Sequence, residues 1–129
     1  MATKKILIAD DEIDVLDVLG KKFAQDNYEV ITMLRGEGIL EKCRKFKPDL
    51  VILDIVLPDI DGYGIALTLR ADESLKDTPI IFMTGTDLEY SGIEKRLTEL
   101  GYCGFISKPC TFEELKEKVK EAIESQESK

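Results

Sequence analysis

The 129-residue chain contains no histidine. That absence removes every Ser-His and Cys-His nucleophile arrangement and argues against a zinc site. It also leaves the chain with no phosphohistidine of its own, so any chemistry must run on carboxylates, hydroxyls, lysines and a bound metal. Cysteine is scarce: Cys43, Cys103 and Cys110 form no C-x-x-C pair and are odd in number. They read as reduced thiols of a cytosolic protein. There is no excess of positive charge either. With 18 Lys and Arg against 26 Asp and Glu, the net charge is −8. This excludes an overall basic footprint for nucleic acid, so DNA binding would need an output domain beyond this chain. No apolar run reaches the length of a membrane span, and Met1-Ala2-Thr3-Lys4-Lys5 lacks the apolar stretch of a signal peptide. A cytoplasmic location without membrane contact is the expectation. Linkers, repeats and low-complexity stretches are missing too. We expect one domain over 1–129, with a core from about 4 to 124 and a frayed tail over 125–129.

What is present is organised around Leu50-Val51-Ile52-Leu53-Asp54. Four consecutive aliphatic residues read as a strand buried on both faces, the mark of a parallel sheet. Asp54 ends that strand, and the Pro, Gly and Asp residues of Pro58-Asp59-Ile60-Asp61-Gly62 require a turn after it. A second apolar run, Lys5-Ile6-Leu7-Ile8-Ala9, ends in Asp10-Asp11-Glu12. Ile13, Leu16, Leu19 and Phe23 then recur at helical spacing and predict a helix from about Glu12 to Asp26. Tyr28 to Thr32 predicts a strand, and Ile39, Leu40, Cys43 and Phe46 a helix that must end before Pro48. A third helix is predicted over Gly62 to Ala71, with Ile65, Ala66 and Leu69 inward. Thr78 to Met83 predicts a strand ending in Thr84-Gly85-Thr86, and Ile93, Leu97 and Leu100 a fourth helix. Cys103 to Ser107 predicts a last strand ending in Lys108-Pro109. Thr111-Phe112-Glu113-Glu114 fits a capping box opening the last helix, whose stripe is Phe112, Leu115, Val119 and Ile123.

Short apolar strands alternating with amphipathic helices imply an α/β domain with helices on both faces of a parallel sheet. We expect a doubly wound five-stranded sheet of the flavodoxin-like order 2-1-3-4-5, which puts strands one and three together at the switch point. Asp10, Asp11 and Asp54 then converge, strand four brings Thr84, and strand five brings Lys108. At ~4 Å and an effective dielectric near 20, each pair of such carboxylates costs about 4 kcal/mol, so a cation is needed. Lys108 can pair with one acid. The remaining charge invites a hard divalent ion, magnesium or else manganese. Such a site suits phosphoryl transfer onto Asp54, with the metal, Lys108 and the Thr84 hydroxyl holding the equatorial oxygens. The Lys108-Pro109 bond is a candidate for cis.

The set Ile8-Ala9-Asp10-Asp11-Glu12, Ile52-Leu53-Asp54 with Leu57-Pro58-Asp59-Ile60-Asp61-Gly62, Met83-Thr84-Gly85 and Phe105-Ile106-Ser107-Lys108-Pro109 resembles the receiver domain of two-component response regulators, of the chemotaxis-regulator type. The resemblance spans nearly the whole chain in order. It implies that Asp54 is the phosphoacceptor, with magnesium bound by Asp11, Asp54 and the Val56 backbone carbonyl, and by Asp10 through water. It further implies that Lys108, Thr84 and the Gly85 amide contact the phosphoryl group, and that Phe105 is an aromatic switch turning inward as Thr84 moves. The implied output is a changed surface on the fourth helix, fifth strand and last helix. The implied partners are a sensor histidine kinase or phosphotransfer protein upstream and an effector or missing output domain downstream, with a phosphorylation-dependent homodimer as a further expectation. Such a domain catalyses its own phosphorylation and dephosphorylation and is otherwise no enzyme.

Three positions and the length of one segment depart from the family pattern. Gly85 stands where Ala or Ser is usual, Leu57 replaces Met, Phe105 lacks a hydroxyl, and the stretch from Thr84 to Lys108 is slightly long. Three other functions compete. A magnesium-dependent phosphatase resembling the haloacid dehalogenases would carry a second Asp two residues after the nucleophile, where this chain has Val56. A flavin carrier of the same fold would need a phosphate cradle where Asp10-Asp11-Glu12 would repel it. A receiver-like module without phosphorylation would keep the fold and make its acids structural. Val56 also predicts slow hydrolysis of the acyl phosphate, because no amide or carboxylate there orients a water; Thr86 is a second place from which a water could be held.

Overall fold

The computed structural model describes residues 3–84 and 103–127. Five strands, β1 (Lys5–Ala9), β2 (Glu29–Met33), β3 (Leu50–Asp54), β4 (Ile80–Thr84) and β5 (Cys103–Ser107), form one parallel sheet in the order β2-β1-β3-β4-β5. Described helices are α1 (Ile13–Gln25), α2 (Ile39–Phe46), α3 (Gly62–Ala71) and α4 (Phe112–Glu127). The expected order and the doubly wound architecture are both observed. The helix expected around Ile93 to Leu100 lies outside the described residues.

Burial follows strand position. All five residues of central β3 are buried, whereas edge strand β2 has no fully buried residue and mixes exposed with half-buried positions. Strand alternation sends Leu7, Ala9, Val51, Leu53, Ile80 and Phe82 to one face, where they pack with Ile39 and Cys43 of α2 and Ile65, Ala66 and Leu69 of α3. Ile6, Ile8, Leu50, Ile52, Ile81 and Met83 face the other way and meet Leu16, Leu19 and Phe23 of α1 and Leu115, Val119 and Ile123 of α4. In the described helices the stripes read from the sequence turn inward, with Leu40, Phe46 and Phe112 half-buried at their margins. Ile13, which opens α1, stays exposed.

Boundaries moved by a residue or two, as helix and strand ends do. The second strand is Glu29–Met33 rather than Tyr28 to Thr32, and the fourth is Ile80–Thr84. Helix α2 stops at Phe46, before a left-handed Lys47 whose amide donates to Cys43 O at 2.8 Å. Pro48 then forbids further helix. Helix α4 opens on the expected capping box: Glu114 N donates to Thr111 Oγ1 and Thr111 N to Glu114 Oε1, both at 3.1 Å. It runs to Glu127, three residues into the stretch expected to fray. Ser125, Gln126 and Glu127 contain neither Gly nor Pro, so nothing stops the helix there.

Candidate functional site

The register of the sheet builds the site. Ala9 pairs with Leu53, so the next residues, Asp10 and Asp54, leave adjacent strands side by side. Both are buried, Asp10 fully and Asp54 to 8% exposure, which is rare for acids unless they are paired. Each makes the same local bond: Asp10 Oδ1 accepts from Glu12 N at 2.9 Å, and Asp54 Oδ1 from Val56 N at 3.0 Å. These Asx turns bend the chain off the strand ends and hold each carboxylate in one orientation. Asp10 thus does also serve the start of α1, whose N-cap Glu12 makes no side-chain cap of its own.

The second oxygens meet on one ammonium group. Lys108 Nζ donates to Asp10 Oδ2 at 2.6 Å, to Asp54 Oδ2 at 3.0 Å and to Glu12 Oε1 at 3.3 Å. Lys108 follows the last residue of β5, and its bond to Pro109 is cis. Burial works against the lysine's charge, but its bonds to Asp10 and Asp54 and their negative charges outweigh it, so Lys108 is held well above its ordinary pKa. Burial also pushes the Asp54 carboxyl up; the bonds from Val56 and Lys108 oppose that shift, and the neighbouring Asp10 adds to it.

The acid cluster differs in one member from the expected trio. Carboxylate oxygens of Asp10, Asp11 and Glu12 lie within 4.8 Å of one another, and Asp54 joins them through Lys108. Glu12 was visible in sequence as the third acid after β1, yet its place beside Lys108 depends on how α1 starts. Three of these carboxylates, Asp10, Glu12 and Asp54, share the Lys108 ammonium, Asp11 stands beside them, and every acid donor is oxygen. That donor chemistry fits a hard divalent ion.

The remaining expected residues divide. Val56 is 62% exposed, and it bridges Asp61 in antiparallel fashion across the β3–α3 loop. Asp61 caps α3 by accepting from Tyr63 N at 3.0 Å. Gly62 is needed because a Cβ there would lie 2.6 Å from Asp54 O. Thr84 ends β4 and pairs with Ser107 in the β5 ladder, which brings its backbone to the same sheet edge. Gly85 and Thr86 lie outside the described residues. Phe105 is half-buried, stacked on Phe82 with ring centroids 5.2 Å apart.

An open parallel sheet with a buried Asp-Lys-Asp arrangement at its switch point defines a class of domain whose chemistry sits at the carboxyl ends of β1, β3 and β5. Residues 6–120 match the family model of the response regulator receiver domain, and the chain belongs to that family. It is 34% identical over 124 residues to the alkaline phosphatase synthesis transcriptional regulatory protein PhoP of Bacillus subtilis (strain 168), covering 96% of this chain and 50% of that protein. It is 30% identical over 118 residues to the polar-differentiation response regulator DivK of Brucella ovis, covering 92% of this chain and 94% of that one. A CheY-like response regulator receiver domain from Methanospirillum hungatei superposes with a TM-score of 0.87 at 27% identity, covering 98% of each chain. The chain spans about half the length of the transcriptional regulators it matches. Receiver domains are the signalling switches of two-component systems, and no described helix is long and apolar enough to cross a membrane.

Proposed function

We propose that this domain is a phosphorylation-activated switch that takes a phosphoryl group onto Asp54 from a partner's phosphohistidine. The observation that carries this reading is the Lys108 ammonium bonded at once to Asp10 and Asp54. A buried, oriented carboxylate with a fixed cation beside it is a nucleophile with its charge stabilisation already in place. As an Asp54 oxygen bonds to phosphorus, the P–N bond breaks and the leaving imidazole takes up a proton. Lys108 then exchanges its bond to Asp54 for one to a phosphoryl oxygen, with Thr84 and the Gly85 amide as further donors. Asp10, Asp11, Asp54 and the Val56 carbonyl would hold the ion, Asp10 through water. A bound Mg2+ or Mn2+ supplies neutralisation of the charge on the transferring oxygens. Phe105 and the surface formed with α4 would carry the output to an effector or to an appended domain.

The phosphatase reading needs an acid at the Val56 position to return the enzyme to its starting state, and an exposed valine stands there. The same residue favours a long-lived acyl phosphate. Intact mass after incubation with acetyl phosphate tests the proposal. We expect one added phosphoryl group that requires both Mg2+ and Asp54. Steady phosphate release without an adduct would support turnover instead, and neither product would leave a module whose acids are structural. Val56→Asn is expected to shorten the lifetime of the adduct; an unchanged decay would remove Val56 from that role.

A further inference from the structure

The β3–α3 loop that carries Val56 is closed on itself by the Val56–Asp61 bridge and by Gly62 N donating to Ile55 O at 2.8 Å. Its tip is held from outside. Asp59 Oδ1 accepts from Gly36 N at 2.7 Å and Asp59 Oδ2 from Glu37 N at 2.8 Å, both in the β2–α2 loop. Arg35 Nε lies 3.9 Å from the same carboxylate. The β2–α2 loop lies close against the β3–α3 loop and the start of α3: a Cβ on Gly36 would fall 3.0 Å from Ile60 Cβ and 3.4 Å from Asp59 Oδ1 in the loop, and 2.8 Å from Ile65 Cδ1 of α3. The β2–α2 loop follows β2, whose last residue, Met33, accepts through its carbonyl from Asp10 N at 3.0 Å. A closed circuit results. It runs from Asp10 through Met33 and Gly36 to Asp59, on to Val56 and Asp54, and back through Lys108 to Asp10.

We infer that Asp59 is a positioning residue for the metal half of the site. It fixes the loop bearing the Val56 carbonyl relative to Asp10 and Asp11 without touching the ion. The inference rests on the magnesium reading above. A carboxylate suits this place because two amide donors converge on it and each takes one oxygen, which Asn can match for one donor only. The bond from Gly36 does most to hold the Asp59 carboxyl below its usual range, against a smaller opposing effect of burial. Ligand supports of this kind are worth about 10–100-fold in metal affinity.

The test is calorimetric titration of Mg2+ into wild type, Asp59→Ala, Asp59→Asn and Val119→Ala at constant ionic strength. Val119, fully buried under the opposite face of the sheet, controls for lost stability alone. We expect Asp59→Ala to raise Kd about tenfold, Asp59→Asn to fall between it and wild type, and Val119→Ala to leave Kd unchanged despite a lower Tm. Amide hydrogen exchange at Gly36 and Glu37 should quicken in Asp59→Ala. A Kd for Asp59→Ala equal to wild type, or an equal loss in Val119→Ala, would overturn the inference while the magnesium reading stands. Wild type that binds no Mg2+ would overturn both.

Discussion

The interior of the sheet and its carboxyl edge are built from the same strands and obey opposite rules. Leu7, Ile52 and Phe82 are fully buried, and their burial is favourable because apolar surface leaves water. One residue beyond Ala9 and Leu53, the chain buries Asp10 and Asp54, where leaving water is costly. The interior is held by matching volumes, whereas the edge is held by one lysine shared among acids. The first region gathers the apolar burial, and the second gathers charge at one edge of the sheet.

The comparison is broken most forcefully from the interior side. Phe82 stacks on Phe105 and meets Tyr63 at 5.3 Å between ring centroids. Phe82→Ala should therefore cost about 3–5 kcal/mol, read as a loss of urea midpoint. At the edge, Lys108→Ala leaves Asp10 and Asp54 buried without their partner, and we expect a loss of about 3 kcal/mol. Added Mg2+ should raise the Tm of that variant by more than it raises wild type, since the ion then replaces the missing charge; equal shifts would contradict the shared-cation account. Asp54→Asn should act in the opposite direction. The folded Asp54 pKa is raised, so its stabilising contribution is present below the unfolded value and lost as pH rises through the folded one. At neutral pH without Mg2+ its charge is a net cost, and Asp54→Asn should raise Tm while abolishing the phosphoryl adduct.

The smallest effect sharpens the contrast. Cys43 is fully buried among apolar neighbours, and burial alone pushes its thiol up to about 12. Asp54 is pushed the same way but has Lys108 to oppose the shift. Native alkylation at pH 8, followed by peptide mass mapping, should label Cys43 on the order of a hundredfold more slowly than half-buried Cys110.

Much of this architecture is legible in the sequence. A buried parallel strand needs an unbroken aliphatic run, and such a run ending in Asp54 names both the strand and the place of the acid. Helical stripes and the Thr111-to-Glu114 capping box are local and were read directly. What resisted reading was mediated by loops. Glu12 joined the acid cluster only because α1 begins where it does, and Asp59 read as a turn residue although its carboxylate binds two amides more than twenty positions away.

The sequence by itself determined the strands, their buried faces, the order of the elements and the acids and lysine at the strand ends, because these depend on periodicity and on residue type. Tertiary structure decided which oxygen faces which nitrogen. Asp10 and Asp54 stand 44 positions apart in the chain, and Lys108 a further 54 beyond Asp54. Only the pairing of β1 with β3 and the placement of β5 bring their charges within hydrogen-bond reach, where desolvation makes each depend on the others.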